Sequence, residues 1–252
     1  MPSKKLYFEG KEKNKLSALL DFPADGDPVA FALFAHCFTC TKNLKSIDYI
    51  SRALTREQLA VLRFDFTGLG ESEGEFADTN FSSNIDDLIA AANFLESAYE
   101  APKILIGHSL GGSAVLQAAE HIPSSLAVAT IGAPADPEHV MRHLQDKKEL
   151  IMQKGEAEIV LEGRKFKIKK QFLDDLEQVR MAEVVGNLKK AIIVFHSPMD
   201  DVVGIDNAAK IFQRARHPKS FISLDQADHL LMNPSDAQYV GAMIAVWARR
   251  YI

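Results

Sequence analysis

Short, continuously apolar runs alternate along the chain with segments of helical spacing, and this alternation narrows the choice of folds more than any other feature. Val29 to Ala35, Ala60 to Phe66, Lys103 to Gly107, Leu126 to Gly132 and Lys189 to His196 read as strands. A strand that is apolar at successive positions has to be covered on both faces. Between and after these runs lie segments of helical spacing. Ser46 to Gln58 places Ile47, Ile50, Ala53 and Leu54 on one side, and Ser83 to Ser97, Leu110 to His121, Ile205 to Ala215 and Asp236 to Arg250 follow the same rule. The pattern predicts an α/β fold, with a mostly parallel central sheet and helices on both faces. Leu6 to Glu9 and Lys15 to Phe22, closed by Pro23-Ala24-Asp25-Gly26, predict an antiparallel edge hairpin, and Ser220 to Leu224 a final strand.

The segment between Pro134 and Asn187 interrupts this order. Pro137 to Gln153 reads as a helix and Phe172 to Met181 as another. Between them, Ile159, Leu161, Phe166 and Ile168 alternate with polar residues around Glu162-Gly163-Arg164, which predicts a hairpin over Glu156 to Lys170. An insertion of about 50 residues is too long for a plain connection. It is expected to form a small lid, at about residues 135–187, within a single domain spanning residues 1–252. Met141, Leu144, Ile151, Met152, Phe172 and Leu176 are the apolar side chains there that would either shape a pocket or simply pack.

Composition excludes several classes. With 47% hydrophobic and 25% charged residues the chain is neither disordered nor a disulfide scaffold. A net charge of −5 argues against a general nucleic-acid binder. Met1 to Lys15 is charged and lacks an apolar stretch, and no apolar run approaches the roughly 18 residues of a membrane span. A cytoplasmic location with no membrane partner is therefore expected. The two cysteines stand as Cys37-x-x-Cys40, a redox or metal spacing. No thioredoxin-type framing surrounds them, and two sulfurs without further ligands make a poor zinc site. They are expected to be structural loop residues instead of a redox couple or disulfide, and no cofactor or metal is expected.

The chemistry concentrates at Gly107-His108-Ser109-Leu110-Gly111. This G-x-S-x-G follows a buried strand and opens a helix, the setting of a nucleophile elbow. A serine on that turn projects its hydroxyl clear of the sheet, and the helix N-terminus aims N–H groups at developing negative charge. A serine needs a base, and the base an orienting acid. With a nucleophile elbow the chain order is serine, then Asp or Glu, then His. Asp200 lies just past the strand ending at His196, and His229 lies on the loop before the last helix. Both fall at the carboxyl edge of the sheet, as Ser109 does. Asp201 is the rival acid and Asp228 a weaker one. Among other histidines, His139 and His143 fall in the insertion, His196 in its strand and His217 at the opposite edge. The oxyanion would be held by the N–H after the nucleophile and one from the loop after the Val29–Ala35 strand, which assigns the Leu110 and Phe38 amides.

These motifs carry a resemblance. The oxyanion loop His36 to Thr41, Arg63-Phe64-Asp65-Phe66-Thr67-Gly68-Leu69-Gly70-Glu71-Ser72, the elbow Gly107 to Gly112, His196 to Val203 and Asp228-His229 resemble an α/β-hydrolase of the serine-esterase type over nearly the whole chain. Ala35 to Cys40, Arg63 to Gly70 and Thr130 to Pro137 more narrowly resemble the hydrolase half of bacterial proteins that fuse such a domain to an OsmC-type peroxide-reducing domain. The chain is also similar to feruloyl and cinnamoyl esterases, which usually have glycines where Cys37 and Cys40 stand. The resemblance favours Asp200 over Asp201, because the acid usually stands four positions after the histidine that ends the strand. It implies hydrolysis of a small-molecule ester through an acyl-enzyme, with Ser109, His229 and Asp200 as the triad. Two readings stand beside this one. One is a redox-linked or thioesterase role using the Cys37/Cys40 loop. The other is a non-catalytic interaction module presenting the basic run Arg164 to Lys170. Oligomeric state is not set by any of these features.

Overall fold

The apolar runs become the middle of one sheet. The computed structural model describes residues 1–137, 144–161 and 163–252. Strands β3 (Ala30–Ala35), β4 (Leu59–Phe64), β5 (Ile104–His108), β6 (Ala127–Ile131) and β9 (Ala191–His196) are buried at every residue. With β1 (Ser3–Glu9), β2 (Lys15–Asp21) and β10 (Lys219–Ser223) they form an eight-stranded sheet in the order β1-β2-β4-β3-β5-β6-β9-β10. β2 runs antiparallel to both β1 and β4, and the remaining pairs are parallel.

Successive residues of a strand point to opposite faces, so each buried strand feeds two cores. Leu33, Leu62, Leu105 and Val128 pack beneath α2 (Phe81–Ala98), α3 (Leu110–Ala118) and the insertion. Their neighbours Phe34, Val61, Ile106 and Ala129 pack beneath α1 (Lys45–Arg56) and α8 (Pro234–Ala248). Helix α7 (Asp206–Arg214) covers the β9 end through Ala208 and Ile211. Among the described residues no helix is long and apolar enough to cross a membrane.

The insertion contains α4 (Gln145–Lys154), the antiparallel pair β7 (Glu156–Leu161) and β8 (Arg164–Lys169), then α5 (Lys170–Gln178) and α6 (Met181–Asn187). Two expectations change. The helix expected over Phe172 to Met181 is two helices, because Val179 is extended (φ −69°, ψ 136°) and turns its half-buried side chain onto the core. The helix expected from Pro137 is described from Gln145 only, and His139, Met141 and His143 lie outside the described residues. β1 also begins at Ser3, since Ser3 to Lys5 pair with Leu19 to Asp21 on an exposed edge that apolar patterning does not register.

The registers align the carboxyl ends of the central strands. Ala35 pairs with Gly107, His108 with Ile131, and Ile131 with Phe195. The chain therefore leaves β3, β5, β6 and β9 at one height, the edge where sheets of this kind hold ligands.

Candidate active site

Ser109 occupies the turn between β5 and α3 with φ 54° and ψ −127°, a conformation that L side chains rarely adopt. Its N–H donates to the Ile131 carbonyl at 2.8 Å, so β6 holds the turn in place. The turn closes because its flanking residues have no side chain. A Cβ on Gly107 would lie 2.2 Å from the Gly111 carbonyl oxygen, and one on Gly111 would lie 2.4 Å from that of His36. The glycines thus bring the helix onto the strand and the elbow onto the loop after β3.

Three side chains meet above this turn. The Ser109 Oγ is 3.0 Å from His229 Nε2, and His229 Nδ1 is 2.8 Å from Asp200 Oδ2. A carboxylate only accepts, so His229 carries its proton on Nδ1 and leaves Nε2 to accept the serine O–H. Asp200 Oδ1 accepts from the N–H groups of Val202 at 3.0 Å and Val203 at 2.8 Å. Burial pushes the Asp200 carboxyl up, but the bonds from His229, Val203 and Val202 outweigh it and hold the group below its ordinary range. The rival acids are elsewhere: Asp201 is exposed, and Asp228 accepts from the Met232 N–H at 3.2 Å within its own turn. His196 is buried and donates Nε2–H to the Val203 carbonyl at 2.6 Å, while His217 is exposed before β10.

The loop after β3 brings Phe38 beside the elbow, where its half-buried ring packs on Phe76 and Phe172. The Leu110 N–H opens α3 and has no carbonyl behind it in the helix to bond. Cys37 and Cys40 correct an expectation. They are joined in a disulfide, because the loop folds Cys40 N–H onto the Cys37 carbonyl at 3.2 Å and brings the Cα atoms to 5.2 Å. Neither cysteine has positive φ, so the loop does not need glycine there. Thiol titration of the unfolded, unreduced protein is expected to find no free thiol, and two after reduction; two before reduction would contradict the bond. Of the apolar insertion residues, Leu144, Ile151, Phe172 and Leu176 are buried in the core and Met152 is exposed. Among the described residues no three His, Cys, Asp or Glu side chains converge as a metal site.

The structure of the esterase domain of a Rhodothermus marinus protein is 53% identical to the chain, covers all of it and 99% of itself, and superposes with a TM-score of 0.82. The chain belongs to the α/β-hydrolase family. The family model for serine aminopeptidases of type S33 matches residues 33–144 of this α/β-hydrolase. It is also 27% identical to the mitochondrial palmitoyl-protein thioesterase ABHD10 of Mus musculus over 70% of its own length and 61% of that protein's. The chain thus spans about three fifths of the curated relatives it first matches. The ferulic-acid complex of Est1E from Butyrivibrio proteoclasticus has the same fold, with a TM-score of 0.80 at 18% identity, covering 97% of the chain and 99% of Est1E.

The α/β-hydrolase also contains buried charges around the loop after β3 that motif reading passed over. Lys42 is 1% exposed and pairs with Asp65, and it reaches Glu71 at 2.7 Å. Its own N–H donates to Asp65 Oδ1 at 2.7 Å, and its carbonyl accepts from Arg63 Nη1 at 2.7 Å. Arg63 Nε pairs in turn with Asp21 at 2.7 Å. These pairs pin the far end of the loop to β4 and β2. The signal was an arginine and an aspartate inside an otherwise apolar strand run, since a buried charge needs a partner.

Proposed function

We propose that this α/β-hydrolase is a serine carboxylesterase acting on small acyl or aryl esters, with Ser109 as nucleophile, His229 as general base and Asp200 as orienting acid. The observation that carries the reading is the pair of short contacts on His229, one to each partner. His229 Nε2 takes the serine proton as Oγ attacks the ester carbonyl. Asp200 holds the ring and stabilises the imidazolium that forms. The developing oxyanion lies against the amides of Phe38 and Leu110, each such donor being worth about 3 kcal/mol. His229 then returns the proton to the leaving alcohol, and water, deprotonated by the same ring, releases the acid. In this reading residues 135–187 form the lid over the acyl side of the site. The thioesterase relative supports a second reading, hydrolysis of an acyl thioester by the same residues, because the thiolate simply replaces the alkoxide as leaving group.

Labelling with a fluorophosphonate, followed by peptide mass analysis, tests the reading. Ser109 is expected to carry the phosphonyl group, and absence of label on folded protein would sink it. A panel of nitrophenyl, hydroxycinnamoyl and acyl-thioester substrates separates the two readings. Faster turnover of thioesters at equal acyl chain would favour the second.

A further inference from the structure

Three of the strands leading to the site end on a buried histidine. His36 follows β3, His108 ends β5 and His196 ends β9, and they are 1%, 3% and 0% exposed. Each ring donates an N–H to a backbone carbonyl at the site: His36 Nδ1 to Cys37 at 2.7 Å, His108 Nε2 to His229 at 2.7 Å, and His196 Nε2 to Val203 at 2.6 Å. His196 bonds within its own loop, and His36 bonds Cys37 beside it and accepts from the Phe66 N–H at 3.4 Å through Nε2, so neither reaches the loop that carries His229. His108 instead reaches across 121 residues to the carbonyl of His229 itself, and its ring lies 5.0 Å from the His229 ring.

We propose that His108 is a positioning residue for the general base, holding the His229 backbone through its Nε2–H so that the ring stays in line between Ser109 and Asp200. The inference rests on the esterase reading for its kinetic consequence and on geometry alone for the positioning. The acceptor is a carbonyl, so the proton sits on Nε2 and Nδ1 is bare. Among the described residues Nδ1 has no hydrogen-bond partner, so the ring is held through its Nε2–H bond to His229. Burial, with the nearby His229 adding to it, pushes the His108 imidazole down to about 3. The donor therefore stays neutral near neutral pH, and it adds no charge beside a ring that must become cationic. The loop needs such a hold. Leu231, two residues after His229, has φ 53°, a left-handed conformation that persists in a bulky residue only where the surroundings enforce it.

Three variants test this. H108L removes the donor, H108N carries an amide too short to reach the His229 carbonyl, and H108Q places an amide N–H near the Nε2 position. A displacement of about 1 Å costs on the order of 100-fold in rate. H108L and H108N are expected to lower kcat on a nitrophenyl ester about 30-fold with KM within about twofold, and H108Q to recover to within about threefold of wild type. Equal losses in H108Q and H108N, or wild-type kcat in H108L, would overturn the proposal. If H108L does not fold, the H108Q and H108N pair decides. The proton resonance of His229 Nδ1–H in histidine-labelled protein reads positioning without turnover. It is expected to persist in H108Q and to be lost or displaced in H108L and H108N, and an unchanged resonance in all three removes the proposal. Wild-type protein inert to both esters and fluorophosphonate would fail the esterase reading, while the resonance still judges His108.

Discussion

Ser109→Ala is expected to lower kcat on a nitrophenyl ester by about 10⁵-fold or more, with the fold intact. The size follows from the division of labour. Serine and histidine act as a unit, so losing either alone removes nearly all of what the unit supplies, about 10⁶-fold in a serine protease. Asp200→Asn is expected to cost less, about 10⁴-fold. Its amide can offer His229 Nδ1 an N–H where the carboxylate accepts one, which favours the tautomer with the proton on Nε2, and that tautomer cannot accept the serine proton. The residual rate in Ser109→Ala should match what two oxyanion amides and simple binding supply to water attack, about 10³ over solution. Alanine keeps the Cβ, so the strained backbone at φ 54° remains and the melting temperature should stay close to wild type. Initial-rate assays over a range of ester concentrations and a thermal melt check both statements. A Ser109→Ala enzyme retaining a tenth of its kcat would end the nucleophile assignment.

Most of the geometry behind that prediction was legible in the sequence. The continuous apolar runs gave the buried strands because they are too short for helices, alternate with helical segments and match strands covered on both faces. The elbow was legible because Gly107 and Gly111 mark a backbone approach that a Cβ would block. Asp200, Asp201 and His229 were candidates from their place at strand ends, the resemblance favoured Asp200 over Asp201, and the structure sets Asp200 and His229 within hydrogen-bond reach of one another. Three features were not legible, each for a physical reason. The Cys37–Cys40 bond depends on the turn that the loop makes, and spacing alone does not fix a turn. The break between α5 and α6 depends on Val179 gaining burial by leaving the helix, a tertiary gain that propensity does not record. The link from His108 to the His229 carbonyl joins two strand-end loops far apart in sequence, and a histidine at the second position of G-x-S-x-G carries no periodic signal. The core reads from local pattern, whereas the supports of the site are long-range polar contacts.

Those same supports make the fold acid-sensitive, and conformational stability is expected to fall by about 4 kcal/mol between pH 7 and pH 4. Burial pushes His36 down to about 4, against the bond to the Cys37 carbonyl, and burial together with His229 pushes His108 down to about 3. Both rings return to an ordinary value of 6.5 when the chain unfolds. From pH 6.5 downward the unfolded chain therefore binds protons that the folded chain refuses, and stability falls with pH. At pH 4 the two rings cost about 3 kcal/mol each by this linkage. Asp87 runs the other way. Burial raises it to about 6 from 3.8, against donors from Thr67, so the folded chain takes up its proton first as the pH falls. That returns about 2 kcal/mol by pH 4 and leaves the histidines dominant. Asp200, held below its ordinary range, adds to the loss as the pH falls further. Guanidinium unfolding at successive pH values should give a flat stability from pH 8 to 7, then a decline beginning near 6.5. H108Q removes one of the two titrating rings, so its decline to pH 4 should be smaller by about 3 kcal/mol. Stability that holds or rises down to pH 4 in the wild type would show that these rings accept protons inside the fold, so that burial does not keep them neutral against their bonds to the site's carbonyls.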